Sequence, residues 1–432
     1  MQPTRTPHRG PTRATERALA PDLARGFMLL MIALANTPYY LWGTDRPSMS
    51  PHPDGGSALD TAVQFVMTVA VDGRIYPMFA FLFGYGIMRT FDRQIAAGAD
   101  PRGAAALLRR RHLWLLVFGF VHAALLWMGD ILGAYGLAGL VMCGLFLRRR
   151  ERTIRVWAAV LAGLAALLAL VSVAGGVIAA QGPDGAAGAV DGGVADLMFA
   201  SFSEPTVLGA ALARLMMWPL TSLVQGLGLI VPAAMLLGMA AGRRRVLELP
   251  GSNLRLLGWT AVLGISAAWL VALPGALNLV GLLNLNAPAL ESLDGARSLA
   301  GLFGGLGYVA LFGIIGHLLG RRERQGVVVV AVTAVGKRSM TSYLAQSVIC
   351  SPVLAAWGLG LGAAMHSASM ALFAIAVWLV TVAVAYALER AGRRGPAEVL
   401  LRRLTYRRPE PAAPAPPSAP APAGAGAQDA AR

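Results

Sequence analysis

The stretch "GFVHAALLWMGDILGAYGL" puts a histidine, His122, and an aspartate, Asp130, inside an apolar run. A histidine titrates near neutrality, so it takes up and returns a proton at little cost and suits general acid–base work. At membrane depth an ionisable side chain faces a partner or a cavity, because lipid does not solvate it. Eight positions along one continuous helix amount to a rise of about 12 Å and a rotation of about 80°, so the spacing predicts that the two do not form a direct dyad. Asp130 also fits the N-cap of a following helix in a tight helical hairpin. Capping and a role beside the histidine both stand open for it.

Three further clusters carry candidate chemistry. In "APDLARGFMLLMIALAN", Asp22 and Arg25 share a helix face at i,i+3, where an acid suits the helix start and an arginine snorkels to headgroups. Asn36 returns to the Arg25 face about 16 Å higher. An amide at that depth must bond inside the bundle, so a structural and a site reading stand side by side. In "VDGRIYPMFAFLFGYG", Asp72 and Arg74 mark the outer edge of a span with Tyr76 behind them. They read as an interfacial anchor or as the mouth of a polar channel, and Gly84 and Gly86 allow close helix packing. In "VGKRSMTSYLAQSVICSP", Lys337 and Arg338 precede a helix start, and Ser342 and Gln346 form a polar stripe flanked by Thr341 and Tyr343. Such groups are ordinary interhelical hydrogen-bonding partners, and a helix start beside cations also receives phosphate. His52 and His317 stand alone and read as structural. Cys143 and Cys350 fall inside apolar runs and offer neither a disulfide framework nor metal spacing.

The elements that position these residues are membrane helices. Of 432 residues, 56% are hydrophobic and 14% charged. Charge-free runs such as "MALFAIAVWLVTVAVAYAL" reach the roughly 20 residues that cross a bilayer as a helix. The sequence predicts an all-α polytopic protein with ten spans, near 24–43, 74–91, 112–129, 131–147, 155–180, 216–241, 255–276, 298–319, 338–357 and 367–388. With the N-terminus inside, every inner loop carries an arginine cluster, as in "LRRRHL", "LRRRERTIR", "GRRRV", "GRRERQG" and "ERAGRRG", while the outer loops are acidic or poor in arginine. The positive-inside rule then puts both termini in the cytoplasm. The net charge of +15 thus belongs to membrane loops, which argues against nucleic acid as a partner. Lys337 is the only lysine, and this arginine usage points to a high-GC bacterium and its cell membrane. The stretches "LDTAVQFVMTVAVDG" and "ADLMFASFSEPTVLGAALARLMMW" read as surface-lying helices or as starts of tilted spans. A single helical domain is expected over 21–408, between a polar cytoplasmic segment 1–20 without a signal-peptide cleavage site and a Pro/Ala-rich tail 409–432, both disordered by composition.

Taken in order, "DLARGFMLLMIALAN", "DGRIYPMFAFLFGYG", "HAALLWMGDILGAYGLAG", "GKRSMTSYLAQS" and "GPAEVLLRRLTY" resemble the YeiB-like family (domain of unknown function 418) over residues 18–408. The spacing of Arg25, Gly26 and Asn36 is also similar to the first span of the lysosomal heparan-glucosaminide N-acetyltransferases. That likeness implies a transmembrane acyltransferase superfamily that includes the bacterial acyltransferase-3 proteins. Such proteins carry an acyl group from cytoplasmic acyl-CoA through a helical bundle to an acceptor on the far side. On this resemblance Asn36 matches a polar site position and His122 belongs to the YeiB-like motif. His52 stands at a different spacing from the histidine of the lysosomal enzymes, and that role is not carried to it.

The resemblance implies acyl-CoA as cosubstrate, no tightly bound cofactor, no metal, surrounding membrane lipids, and a cell-envelope hydroxyl or amine as acceptor. The catalytic candidates are His122 as base, Asn36 as a donor to the developing oxyanion, and Asp130, with Arg74 as the alternative, to orient the base or the acceptor. Arg25, Lys337 and Arg338 are the candidates for the CoA phosphates. Arg74, Tyr76, Ser342, Tyr343 and Gln346 are the candidates for the channel. The alternative is a small-molecule or lipid transporter or flippase, in which the same groups line a pathway, although no inverted repeat is visible.

Overall fold

The computed structural model describes residues 18–44, 51–53, 55–179 and 199–406; the disorder expected of the two tails lies outside the described residues. These residues form helices and connecting turns, with no strand among them. In chain order the helices are α1 Leu19–Asn36, α2 Ala58–Val66, α3 Ile75–Ala96, α4 Pro101–Leu125, α5 Ile131–Phe146, α6 Glu151–Ala179, α7 Val207–Leu227, α8 Ile230–Arg243, α9 Leu254–Leu279, α10 Ala287–Gly320, α11 Val327–Lys337, α12 Ser339–Leu354, α13 Ser367–Arg390 and α14 Pro396–Thr405.

Seven helical stretches are long and apolar enough to cross a membrane: Leu19–Tyr40, Ala58–Ala96, Glu151–Ile178, Val207–Leu227, Pro250–Leu279, Pro288–Gly320 and Ser367–Arg390. The chain is therefore a multi-pass helical membrane protein. The predicted spans near 112–129, 131–147 and 338–357 fall on α4, α5 and α12, which are more polar or shorter. Leucines and valines of α6, α7, α9 and α13 stand exposed, as lipid-facing side chains do.

Two stretches differ from the sequence expectation. The span predicted at 216–241 is not one helix, because α7 ends at Leu227 and α8 begins at Ile230. Pro232 explains the break: in a continuous helix its ring would meet the carbonyl of residue 228, whereas in the first turn of a new helix its missing N–H is no loss. The predicted inner loop 320–337 contains α11, whose apolar run is too short to span and packs along α1. A Cβ on Gly336 would lie 1.7 Å from the Asp22 carbonyl oxygen, so only glycine permits that approach.

Charged side chains gather at one end of the bundle. Arg89 at the end of α3 meets Glu248 beyond α8 at 2.5 Å, and Arg244 meets Glu151 of α6 at 2.6 Å. Lys337 and Arg338 both meet Glu389 of α13 at 2.7 Å. We refer to this as the arginine-rich end.

Candidate functional site

His122 and Asp130 touch. His122 Nδ1 lies 2.8 Å from Asp130 Oδ1, and both residues are buried, at 3% and 2% exposure. This corrects the expectation that eight positions keep them apart. That expectation assumed one straight helix, but α4 stops at Leu125 and the chain turns through Leu126–Gly129. Asp130 then starts α5 and is folded back beside the last turn of α4. Its other oxygen, Oδ2, accepts the Gly133 N–H at 2.5 Å, so the same carboxylate is also the N-cap of α5. Both roles left open by the sequence are filled, one by each oxygen.

The hairpin closes this tightly because Gly119 faces α5. A Cβ there would lie 2.2 Å from Gly133 N and 2.3 Å from Asp130 Oδ2. The end of α4 is held by polar groups from other helices. The last carbonyls of a helix lack intrahelical partners, and within a membrane each must find one. His122 O accepts from the N–H groups of Leu126 and Trp127. Arg214 of α7, 1% exposed, donates to Ala123 O (3.0 Å), Ala124 O (3.0 Å) and Leu125 O (3.3 Å). Ser351 of α12 donates to Leu126 O at 2.7 Å, and Tyr40 bonds Ser351 at 2.6 Å. Arg214 was not singled out from the sequence, although a lone arginine in "ALARLMMW" is the usual mark of a buried functional cation. His112, hidden within an arginine cluster, was also missed. It is fully buried against the hairpin, with Nδ1 3.8 Å from Cys143 Sγ.

With Nδ1 turned to Asp130, the other ring nitrogen of His122, Nε2, is buried and has no hydrogen-bond partner among the described residues. The imidazole lies against the ring of Tyr343 on α12, with centroids 5.0 Å apart. Tyr343 in turn lines two internal spaces. One is a cavity of about 720 Å³ that reaches the arginine-rich end; the other is a small pocket of about 20 Å³ above it, also lined by Asn36 and Gln346.

The large cavity is cationic. Arg25, Arg89, Arg93, Arg111, Arg243, Arg245 and Lys337 line it, against Asp22, Asp92, Glu248 and Glu398. Of the predicted anion-binding residues, Arg25 and Lys337 are on its wall, with Arg25 3.1 Å from Asp22. Arg338 lines neither space. Its guanidinium serves Glu389, Arg393 O and Ala334 O. The start of α12 holds an internal anion: Glu398 of α14 accepts the N–H groups of Met340 and Thr341 at 2.9 and 3.1 Å.

The channel candidates separate. Tyr343 and Gln346 line the small pocket, and Gln346 Nε2 donates to Leu29 O at 3.2 Å. Ser342 is buried without lining either space. Arg74 is buried at the turn before α3, where it donates to the carbonyls of Thr68, Asp72 and Ala268. Tyr76 follows it, and its carbonyl accepts the hydroxyl of Tyr135 at 2.6 Å. Neither lines the cavity or the pocket. His52, read as a lone histidine, is instead paired with Asp72, Nε2 to Oδ2 at 2.7 Å; the loop brings together residues twenty positions apart.

Residues 241–408 match the family described as "Protein of unknown function (DUF418)". The chain is similar to the "Uncharacterized protein YxaH" of Bacillus subtilis (strain 168), 26% identical over 417 residues that cover 93% of this chain and 98% of YxaH. It is similar to the "Uncharacterized protein YeiB" of Escherichia coli (strain K12), 29% identical over 423 residues, 92% of this chain and 98% of YeiB. It also matches an "Uncharacterized 39.9 kDa protein in amylase 3'region" of Bacillus acidopullulyticus, 33% identical over 141 residues, which is 33% of this chain and 37% of that protein. No solved structure matches it at a significant level.

Proposed function

The chain belongs to the DUF418 family, and from that premise we propose that it is an acyltransferase of the bacterial cell membrane. The donor is an acyl-CoA entering from the cytoplasm at the arginine-rich end. The acceptor is a hydroxyl or amine of a lipid-linked or cell-envelope molecule. The observation that carries this reading is a cationic cavity whose wall residue Tyr343 packs against a buried His–Asp pair, a pair that itself lines neither the cavity nor the small pocket.

The cavity is of the size of small-molecule sites, about 300–1,000 Å³, and its excess of guanidinium groups suits phosphates. Arg25 and Lys337 stand on one wall; Arg89, Arg93 and Arg111 add cations from α3 and α4. Asp130 holds the imidazole in the tautomer that leaves Nε2 basic. In the proposed reaction Nε2 takes the proton of the acceptor O–H or N–H as that atom bonds to the thioester carbonyl carbon. The C–S bond then breaks, and the departing CoA thiolate receives the proton from the imidazolium. Asp130 stays ionised and stabilises the imidazolium.

A transporter or flippase is the second reading. It draws support from Tyr343, which separates the cavity from the upper pocket as a gate would. One experiment parts the two: purified protein in lipid vesicles is given radiolabelled acetyl-CoA and a membrane extract. Acyl transfer releases free CoA thiol and moves the label to an extract component. Transport of an unchanged ligand, with no thiol released, would sink the acyltransferase reading.

A further inference from the structure

The large cavity is divided along its length. Four of its helices show the division, with polar residues toward the arginine-rich end and apolar ones toward the α4–α5 hairpin. On α1 the order is Asp22, Arg25, then Leu29. On α4 it is Arg111, then Leu115, and on α12 it is Ser339, then Tyr343. The third helix, α3, runs the other way, from Phe79 and Phe83 through Gly86 to Thr90 and Arg93. Those five positions recur every three or four residues, so they share one face, and each is half-buried. The apolar end of the wall reaches Ile131, one residue after Asp130.

Each half selects part of a guest. The half at the arginine-rich end holds seven cationic side chains against four carboxylates. Its guest therefore carries negative charge, and the guanidinium fork fits phosphate best. The half nearer the hairpin carries no charged side chain among the described residues, and the Tyr343 hydroxyl is its one polar side-chain group. A polar guest would lose its water there without finding partners, which is costly. From Phe79 to Arg89, α3 rises about 15 Å, half the roughly 30 Å hydrocarbon thickness of a bilayer and so the reach of one lipid chain. We propose that the cavity binds a phosphate-headed amphiphile, with its phosphate among the arginines and its apolar chain along Phe83 and Phe79 toward the hairpin. The inference goes beyond the acyl-transfer reading, because it holds for a long-chain acyl donor and for a transported lipid alike. A fatty acyl-CoA from the cytoplasm and a lipid phosphate from the membrane share this head and chain.

Gly86 offers a way to fill the cavity where its halves meet. A Cβ there would meet only Arg25 Nη2, at 3.6 Å, an ordinary contact, so Gly86→Leu occupies the space without pushing on the bundle. Gly144→Leu, at an α5 glycine with nothing within 4 Å, controls for the substitution. Full-length protein in phosphatidylcholine nanodiscs is given radiolabelled palmitoyl-CoA or dodecyl phosphate. The wild type and Gly144→Leu should bind saturably, and Gly86→Leu about tenfold more weakly or worse; discs of all three take up the same label into lipid. On the wild type, acetyl-CoA should displace the label at least about tenfold less well than palmitoyl-CoA, since each buried CH₂ favours binding by about fourfold. Dodecanol should likewise compete at least about tenfold less well than dodecyl phosphate, because it lacks the charge that the arginines bind. Equal competition by acetyl-CoA or by dodecanol overturns the proposal, as does unaltered binding by a folded Gly86→Leu. The two competition series use the wild type alone, so they decide even if Gly86→Leu does not fold. Binding of palmitoyl-CoA alone identifies a cytoplasmic ligand. Binding of dodecyl phosphate alone identifies a membrane lipid and removes the acyl-CoA donor from this cavity. Binding of neither overturns the proposal, whereas acyl transfer is judged separately, by the release of CoA thiol.

Discussion

His122 has one nitrogen committed and one open, and that asymmetry sets what substitution should do. His122→Gln keeps much of the size and some hydrogen bonding but removes the titrating group. Acyl transfer should fall by about a hundredfold or more, with a monodisperse gel-filtration peak as the check that folding survives. Full activity in this variant would remove the histidine from the mechanism. Asp130 separates its two duties by oxygen, Oδ1 to the imidazole and Oδ2 to the α5 cap. Asp130→Asn retains a capping acceptor and loses the charge that steadies an imidazolium, so it should transfer slowly yet melt near the wild type. Asp130→Ala should melt lower as well, because a lost N-cap costs about 0.5–2 kcal/mol. Equal melting temperatures for the two variants would mean that the cap contributes nothing.

At the scale of the element, the α4–α5 hairpin is the device that makes the pair. Its turn is held from outside, by Arg214 on α7 and Ser351 on α12. Arg214→Met leaves the carbonyls of Ala123, Ala124 and Leu125 without their donor, and each unsatisfied buried group costs about 1–3 kcal/mol. We expect this to be among the most destabilising single changes in the molecule, with Arg214→Lys intermediate, since an ammonium reaches fewer of the three acceptors than a planar fork. Thermal aggregation in detergent measures the order. If Arg214→Met melts with the wild type, the carbonyls are satisfied in some other way. Gly119→Val should also fail, because even a Cβ would collide with Gly133 N at 2.2 Å.

At the scale of the whole molecule, the bundle has one charged end, into which the large cavity opens, and a less charged one. The proposal that the arginine-rich end faces the cytoplasm is checked by labelling. Single cysteines at Ser57→Cys, Ser252→Cys and Gln325→Cys probe the two ends, and Cys143 and Cys350 add little background because both are buried. In intact cells a membrane-impermeant maleimide should label the first position. It should reach the other two only after permeabilisation, and the reverse pattern would invert the orientation.

The sequence alone determined that the chain is a multi-pass helical membrane protein. The reason is additive: apolar length and the absence of charge suffice for a helix to prefer lipid, whatever it packs against. The same logic exposed Arg25, Asn36, His122 and Asp130, because a polar residue in an apolar run is conspicuous by itself. It also made Asp130 readable as a cap, which depends on neighbours a few positions away. What was not legible depends on where the chain bends and what it meets there. The break before Pro232 turned one expected span into two helices. The turn after Leu125 made an eight-residue separation into a 2.8 Å contact. Lys337 and Arg338 are neighbours in sequence, yet only Lys337 lines the cavity, and both meet Glu389 of α13. Arg214 gained significance only from carbonyls contributed by another helix. Hydropathy is a sum over single residues, whereas a site is a set of pairings between distant ones, and only tertiary packing chooses the pairs.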